Sequence, residues 1–363
     1  MRPGFRELVE RAAVFCAAFG PRLASTSREG RTVRRNRSRQ PRVSSRRHWA
    51  CVLSLLTAFA PGVALGRETL PTPVLRAGPP ASWVFKKPGR ETQNSKSVAE
   101  RGGENPCNTP DPGFGAYRAW SREPALGQMI VPQDPAPLAD GFDVMFHFHG
   151  HEAARKEWVR VMDRAVLVGI DLGNGSGPYE EEFADPEAFQ RLLFSVERAV
   201  ARRAGVAKAP VRRVGLSAWS AGYGAVGAIL GQSYGRRAVD SVILLDGLHS
   251  GYQRAALQLG PFIDFAREAA GGRRFMFVSH SSIIPPGYAS TTETANFLIW
   301  QLGGRPKPSR PRGTDPMGLD LVSWYVRGGF HVRGYAGNDK LDHCAHLGLY
   351  HDVLKFHLVR RWR

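Results

Sequence analysis

A chain of 363 residues, 42% hydrophobic and 23% charged, carries enough apolar material for a sizeable core, which excludes a disordered protein. Its formal charge of +18 suggests a nucleic-acid binder until it is divided along the chain: residues 1–66 hold thirteen Arg against three Glu, or +10, and leave +8 for the rest. More than half of the basicity sits in a leader with no nucleic-acid-binding fold signature behind it, so no DNA or RNA partner is expected.

Residues 43–66 run from a basic stretch through an apolar segment at 49–60 and a Pro-Gly break to small residues at Ala64 and Gly66. This is the anatomy of an export signal cleaved near residue 66, with the mature chain periplasmic or secreted. About twelve apolar residues fall short of the ~20 that span a bilayer, so no stable membrane anchor is expected. Arg46-Arg47 loosely resembles a twin-arginine export motif, and the route stays open. Cys51 lies at the start of the apolar run, whereas a lipid-bearing cysteine would lie at its end. Cleavage leaves Cys107 and Cys344, which are expected to pair in an oxidising compartment and so tie the following arm beside the C-terminal loop; two unpaired thiols are the alternative.

Residues 67–124 begin rich in Pro, Gly, Ser, Asn and charge and read as a flexible or surface-wrapping arm. From about 125 to 363 the pattern alternates. A strand or hairpin arm at 127–131 is followed by short apolar runs at 142–148 and 165–170, bounded by turn residues as buried strands are. Residues 186–204 carry Phe189, Leu192, Leu193, Val196 and Val200 at helical spacing. A strand at 214–219 and a small-residue helix at 221–230 come next. Further strands are expected at 241–245, 275–279 and 330–335, with helices at 253–270 and 291–302 and a last helix at 344–359. The expected fold class is α/β, a mostly parallel central sheet with helices on both faces. An insertion at about 281–329 is expected to cap the strand ends. Its basic residues Arg305, Lys307, Arg310 and Arg312 either favour an acidic substrate or form a solvated loop.

The stretch Ala218-Trp219-Ser220-Ala221-Gly222 sets a serine between a buried strand and a helix, with small residues two before and two after it. So tight a turn lets larger side chains collide at those two positions, and it holds Ser220 at a helix start where the Ala221 amide can face an oxyanion. Ser217 fits less well, because Trp219 would occupy its second small position. This is the nucleophile-elbow pattern with Ala for the first Gly, and over about 125–363 the chain resembles the α/β-hydrolase fold of esterase- and lipase-like serine hydrolases. Phe146-His147-Phe148-His149-Gly150-His151 resembles the His-Gly segment after that fold's third strand. The resemblance implies a second oxyanion donor from the amide of His151, with His147 and His149 bracing the loop.

It also implies the chain order serine, acid, histidine. Asp246 ends the strand at 241–245, the sixth by the family count, and is favoured as the acid; Glu293 is the second choice. His343 and His346 both follow the last strand, and His343, nearer the loop, is preferred as the base. The expected function is thus exported cleavage of an acyl bond, ester before amide, in a small-molecule or polymer substrate, with no cofactor. Two rivals stay open. His147, His149 and His151 could hold a metal, since i and i+2 side chains can converge on one ion, and the chain could be a non-catalytic binding protein on the same scaffold. The acyl group, the leaving group and the oligomeric state are not legible.

Overall fold

The structure is a computed structural model that describes residues 95–309 and 316–363; the expected leader, Arg310 and Arg312 lie outside the described residues. Nine strands form one sheet: β1 (Gln128–Ile130), β2 (Phe142–Phe148), β3 (Val166–Ile170), β4 (Val211–Trp219), β5 (Val239–Leu245), β6 (Phe275–His280), β7 (Lys307–Pro308), β8 (Leu321–Arg327) and β9 (Phe330–Tyr335). Their order is β1-β3-β2-β4-β5-β6-β9-β8-β7. The six strands from β3 to β9 run parallel, while β1 and the β8–β7 edge run antiparallel. The α/β class expected from the alternating runs is the one observed.

Side chains alternate across a strand, and that alternation builds two apolar layers. Val144, Phe146 and Phe148 of β2 and Val242 and Leu244 of β5 face one layer. It is completed by α2 (Gly177–Glu182), α3 (Ala188–Ala204), α4 (Tyr223–Gly231), α6 (Ala255–Ala270) and α7 (Thr291–Gln301). Met145, Ile243 and Leu245 face the other, against α1 (His151–Trp158) and the C-terminal helix. A short α5 (Ser233–Ala238) leads into β5. Among the described residues no helix is long and apolar enough to cross a membrane.

Two expectations need correction. The insertion at 281–329 includes a strand that periodicity did not reveal, β8, which folds back on β9. The expected single helix at 344–359 is instead two pieces: α8 (Lys340–Ala345), and α9 (Leu349–Val353) continued by a π-helical turn at Leu354–Leu358 and by Val359–Arg361. The reason for the early start is a cap. Asp339 Oδ1 accepts from the amides of Leu341 and Asp342, and Asp342 bonds back to the Asp339 amide, so the first turn forms four residues upstream of Cys344.

The described part of the arm is bound at both ends of the site region. Cys107 and Cys344 are disulfide-bonded, with Cα atoms 5.0 Å apart, as expected. Arg101 forms a buried ion pair with Asp342 and donates to the Met317 carbonyl at 2.6 Å, and Ser95 donates to Asp342 at 2.6 Å. On α1, Arg155 grips Asp111 with both terminal nitrogens at 2.8 and 2.9 Å. The arm therefore clamps the helix that follows His149-Gly150 and the helix that carries His343.

Candidate active site

Four non-glycine residues among those described have positive φ, and three of them are the first residue after a neighbouring parallel strand: His149 (68°) after β2, Ser220 (50°) after β4 and Asp246 (43°) after β5. Such backbone costs of order 1–3 kcal/mol per residue and gathers at functional sites. The carboxyl ends of parallel strands are also where open α/β sheets place their crevices.

The Ser220 turn explains its own sequence. β4 ends with Trp219 extended, Ser220 reverses the chain into a 3-10 turn at Ser220–Gly222, and α4 follows. Ala218 is fully buried. A Cβ on Gly222 would stand 2.1 Å from the Phe148 carbonyl oxygen, so the second small position of the elbow is enforced by β2 next door.

Asp246 is buried, and three groups meet its carboxylate. Oδ1 accepts from the Ser281 amide at 2.8 Å and from the Thr291 hydroxyl at 2.6 Å, and Oδ2 lies 2.7 Å from His343 Nδ1. Burial pushes this carboxyl up, but the hydrogen bonds it accepts from His343 and Thr291 hold it below the usual carboxylate range. An ionised Asp246 can only accept, so His343 donates from Nδ1, which leaves Nε2 with a lone pair able to accept a proton. The His343 side chain is 22% exposed, open to a reactant. No hydrogen bond joins Ser220 Oγ to His343 among the described residues; they are linked through Trp219, whose indole N–H donates to the His343 carbonyl at 2.9 Å.

The two second choices fall elsewhere. Glu293 closes the cap of α7, its carboxylate accepting from the amide and hydroxyl of Ser290, with Tyr252 as a further donor; it meets no histidine. His346 is fully buried with Nδ1 2.8 Å from Ser279 Oγ. Among the described residues it makes no hydrogen bond to the Asp246 carboxylate, which His343 meets instead.

The histidine cluster does not converge. The β2–β4 register pairs His147 with Ser217, and a directed chain results. His147 Nε2 donates to the His149 carbonyl at 3.0 Å, so its Nδ1 accepts from Ser217 at 2.8 Å, and Ser217 in turn accepts from Tyr350 at 3.0 Å. His149 Nδ1 meets the Tyr179 hydroxyl at 3.0 Å, and His151 Nδ1 meets Asp171. Three rings with three separate partner sets leave no group of three metal-binding side chains among the described residues. The amide of Gly150 is taken by Asp171 at 2.7 Å and that of His149 by Ile170. His151 is the first residue of a helix and Ala221 the second of a 3-10 turn, where amides have no acceptor within the turn.

Three buried histidines tie the site to pH. Burial, the main cause in each, lowers His147 to about 3 and His280 and His346 to about 4. Each stays neutral in the fold, while an unfolded histidine takes up a proton near 6.5. The unfolded chain then binds more protons as pH falls from about 6.5 towards 4, and stability falls with it. The expected result is a urea midpoint that decreases steadily from about pH 7 to 4.5; a flat midpoint over that range would contradict the burial.

Sequence reasoning missed Trp219, Thr291, Ser281, Tyr350 and Asp171 as parts of this region. Asp171 follows a strand end as Asp246 does. That signal was available.

No family model matches the chain, and no curated protein matches it. Among solved structures the chain is similar to a mutant feruloyl esterase module from Clostridium thermocellum complexed with sinapinate (12% identity over 75% of this chain and 96% of that one, TM-score 0.40). It is also similar to the BES protein from Bacillus cereus (14% identity, 69% and 97%, TM-score 0.39) and to the ferric enterobactin esterase from Salmonella typhimurium (12% identity, 69% and 60%, TM-score 0.40). The mostly parallel sheet, the left-handed serine between β4 and α4, and the buried carboxylate of Asp246 one strand later are features of this chain itself.

Proposed function

We propose that the chain is an exported serine hydrolase that cleaves an acyl bond, an ester first, by the joint action of Ser220, His343 and Asp246. The observation that carries this reading is the hydrogen bond from His343 to a buried carboxylate at the strand end next to a strained serine turn. Ser220 Oγ attacks the acyl carbon, and its proton passes to His343 Nε2. The resulting imidazolium is held by Asp246, and the oxyanion by the amides of His151 and Ala221. Collapse breaks the bond to the leaving group, which takes the proton from His343; water then repeats the sequence on the acyl-enzyme. No cofactor is needed. The leader anatomy and the Cys107–Cys344 bridge both support an oxidising compartment.

The test is turnover of short p-nitrophenyl esters by the purified chain. Hydrolysis that a fluorophosphonate stops and a chelator does not is the expected result. A chain inert to esters of every acyl length and to the fluorophosphonate would instead be a binding protein.

A further inference from the structure

One side chain touches more of the candidate machinery than any role so far accounts for. Trp219 immediately precedes Ser220, and two imidazoles pack against its ring. The His343 ring lies 4.7 Å from it, centroid to centroid and tilted by 31°, and the His149 ring is stacked at 5.2 Å and 16°. Its edge N–H donates to the His343 carbonyl at 2.9 Å. It also shapes the turn that precedes the His151 amide: a Cβ on Gly150 would stand 2.9 Å from the indole, and Gly150 has φ 78°. A residue that merely fills space needs neither a used polar edge nor two imidazoles packed against its ring.

Resting on the serine-hydrolase reading above, we infer that Trp219 is the positioning residue that joins nucleophile, base and oxyanion loop, and that its ring face stabilises the imidazolium formed when His343 takes the Ser220 proton. A cation within about 6 Å of an indole centroid is attracted by the ring's negative face. The neutral imidazole gains less, so the interaction grows on the way to the transition state, as catalysis requires. The other charged and titratable groups facing His343 are Asp246, His249 and His149 from the loops after β5 and β2, and His346 on its own segment. His149 is held below its ordinary range by burial first, with nearby His343 adding to that and Asp171 opposing it. Burial thus disfavours a second cation against the indole ring.

Trp219→Phe keeps a face and loses the N–H; Trp219→Leu loses both while staying apolar. The experiment follows the rate of Ser220 labelling by a fluorophosphonate against pH in the full-length chain, with circular dichroism confirming the fold of each variant. In that reaction the Oγ–P bond forms, the P–F bond breaks, fluoride leaves and the serine proton goes to His343, so the rate reports the base without a known substrate. In Trp219→Leu the plateau rate is expected to fall about tenfold and the acid limb to move down by about half a pH unit. In Trp219→Phe the limb should stay in place with a loss of a few-fold, which also decides the matter if the leucine variant does not fold. Wild-type rates and limbs in both variants, or a limb that moves in Trp219→Phe as far as in Trp219→Leu, would overturn the inference while leaving the labelled serine standing. Absence of labelling in the wild type would remove the serine-hydrolase reading and this inference with it.

Discussion

Ser220→Ala is expected to lower kcat for short p-nitrophenyl esters by roughly 10⁴-fold or more, to the level of the oxyanion site and binding alone, with circular dichroism and urea midpoint little changed. The side chain lost is small and partly exposed, and its hydroxyl has no hydrogen-bond partner among the described residues, so its removal takes little from the fold. Relief of any side-chain constraint at φ 50° is smaller still, because alanine is as strained there as serine. Ser217→Ala provides the contrast. It strips a shared partner from His147 and Tyr350 in a fully buried chain, at a cost of about 1–3 kcal/mol. That loss appears as a lower urea midpoint, with most of the turnover per folded molecule retained. A Ser220→Ala chain that turned esters over at the wild-type rate would end the nucleophile assignment.

The second large effect separates the two histidines of the C-terminal loop. His343→Ala is expected to cost roughly 10³-fold or more in kcat, as loss of a triad base does, because the ring removed is the one bonded to Asp246 at 2.7 Å. His346→Ala should cost far less in kcat. That ring is fully buried and bonded to Ser279, so its loss leaves a small cavity and takes one of two partners from the Ser279 hydroxyl, and is read in stability. Steady-state kinetics of both variants with matched folded fractions decide the ranking. The reverse order would move the base to His346 and leave the His343–Asp246 bond without a role.

How much of this was legible in the residues follows from how local each cause is. The parallel strands could be read because β2, β3 and β5 are short apolar runs buried on both faces, a pattern carried by composition. The Ser220 turn could be read because steric crowding at Ala218 and Gly222 acts within five residues. β8 was not read as a buried strand, since of its seven residues only Tyr325 is buried while Val322, Trp324 and Val326 are exposed. The Gly328-Gly329 pair before β9 was the missed hairpin signal. The start of α8 was misplaced because a cap overrides periodicity: Asp339 and Asp342 begin the helix, and His343 lies inside it rather than ahead of it. Thr291 and Ser281, which hold Asp246, come from the segment expected to be a cap over the site. Only the fold brings a residue 45 positions downstream onto that carboxylate. The disulfide was inferred from compartment and count, and the 5.0 Å Cα separation is a tertiary fact that spacing could not supply.

The central claim is that Ser220 is a nucleophile activated by its neighbours, and the most direct measurement is the mass of the peptide that carries a fluorophosphonate after the purified chain has been labelled and digested. The account predicts a single adduct on the peptide containing Ser220, lost in Ser220→Ala and strongly slowed in His343→Ala. An adduct on a different serine, or ester turnover by a chain that takes up no label at all, would contradict it.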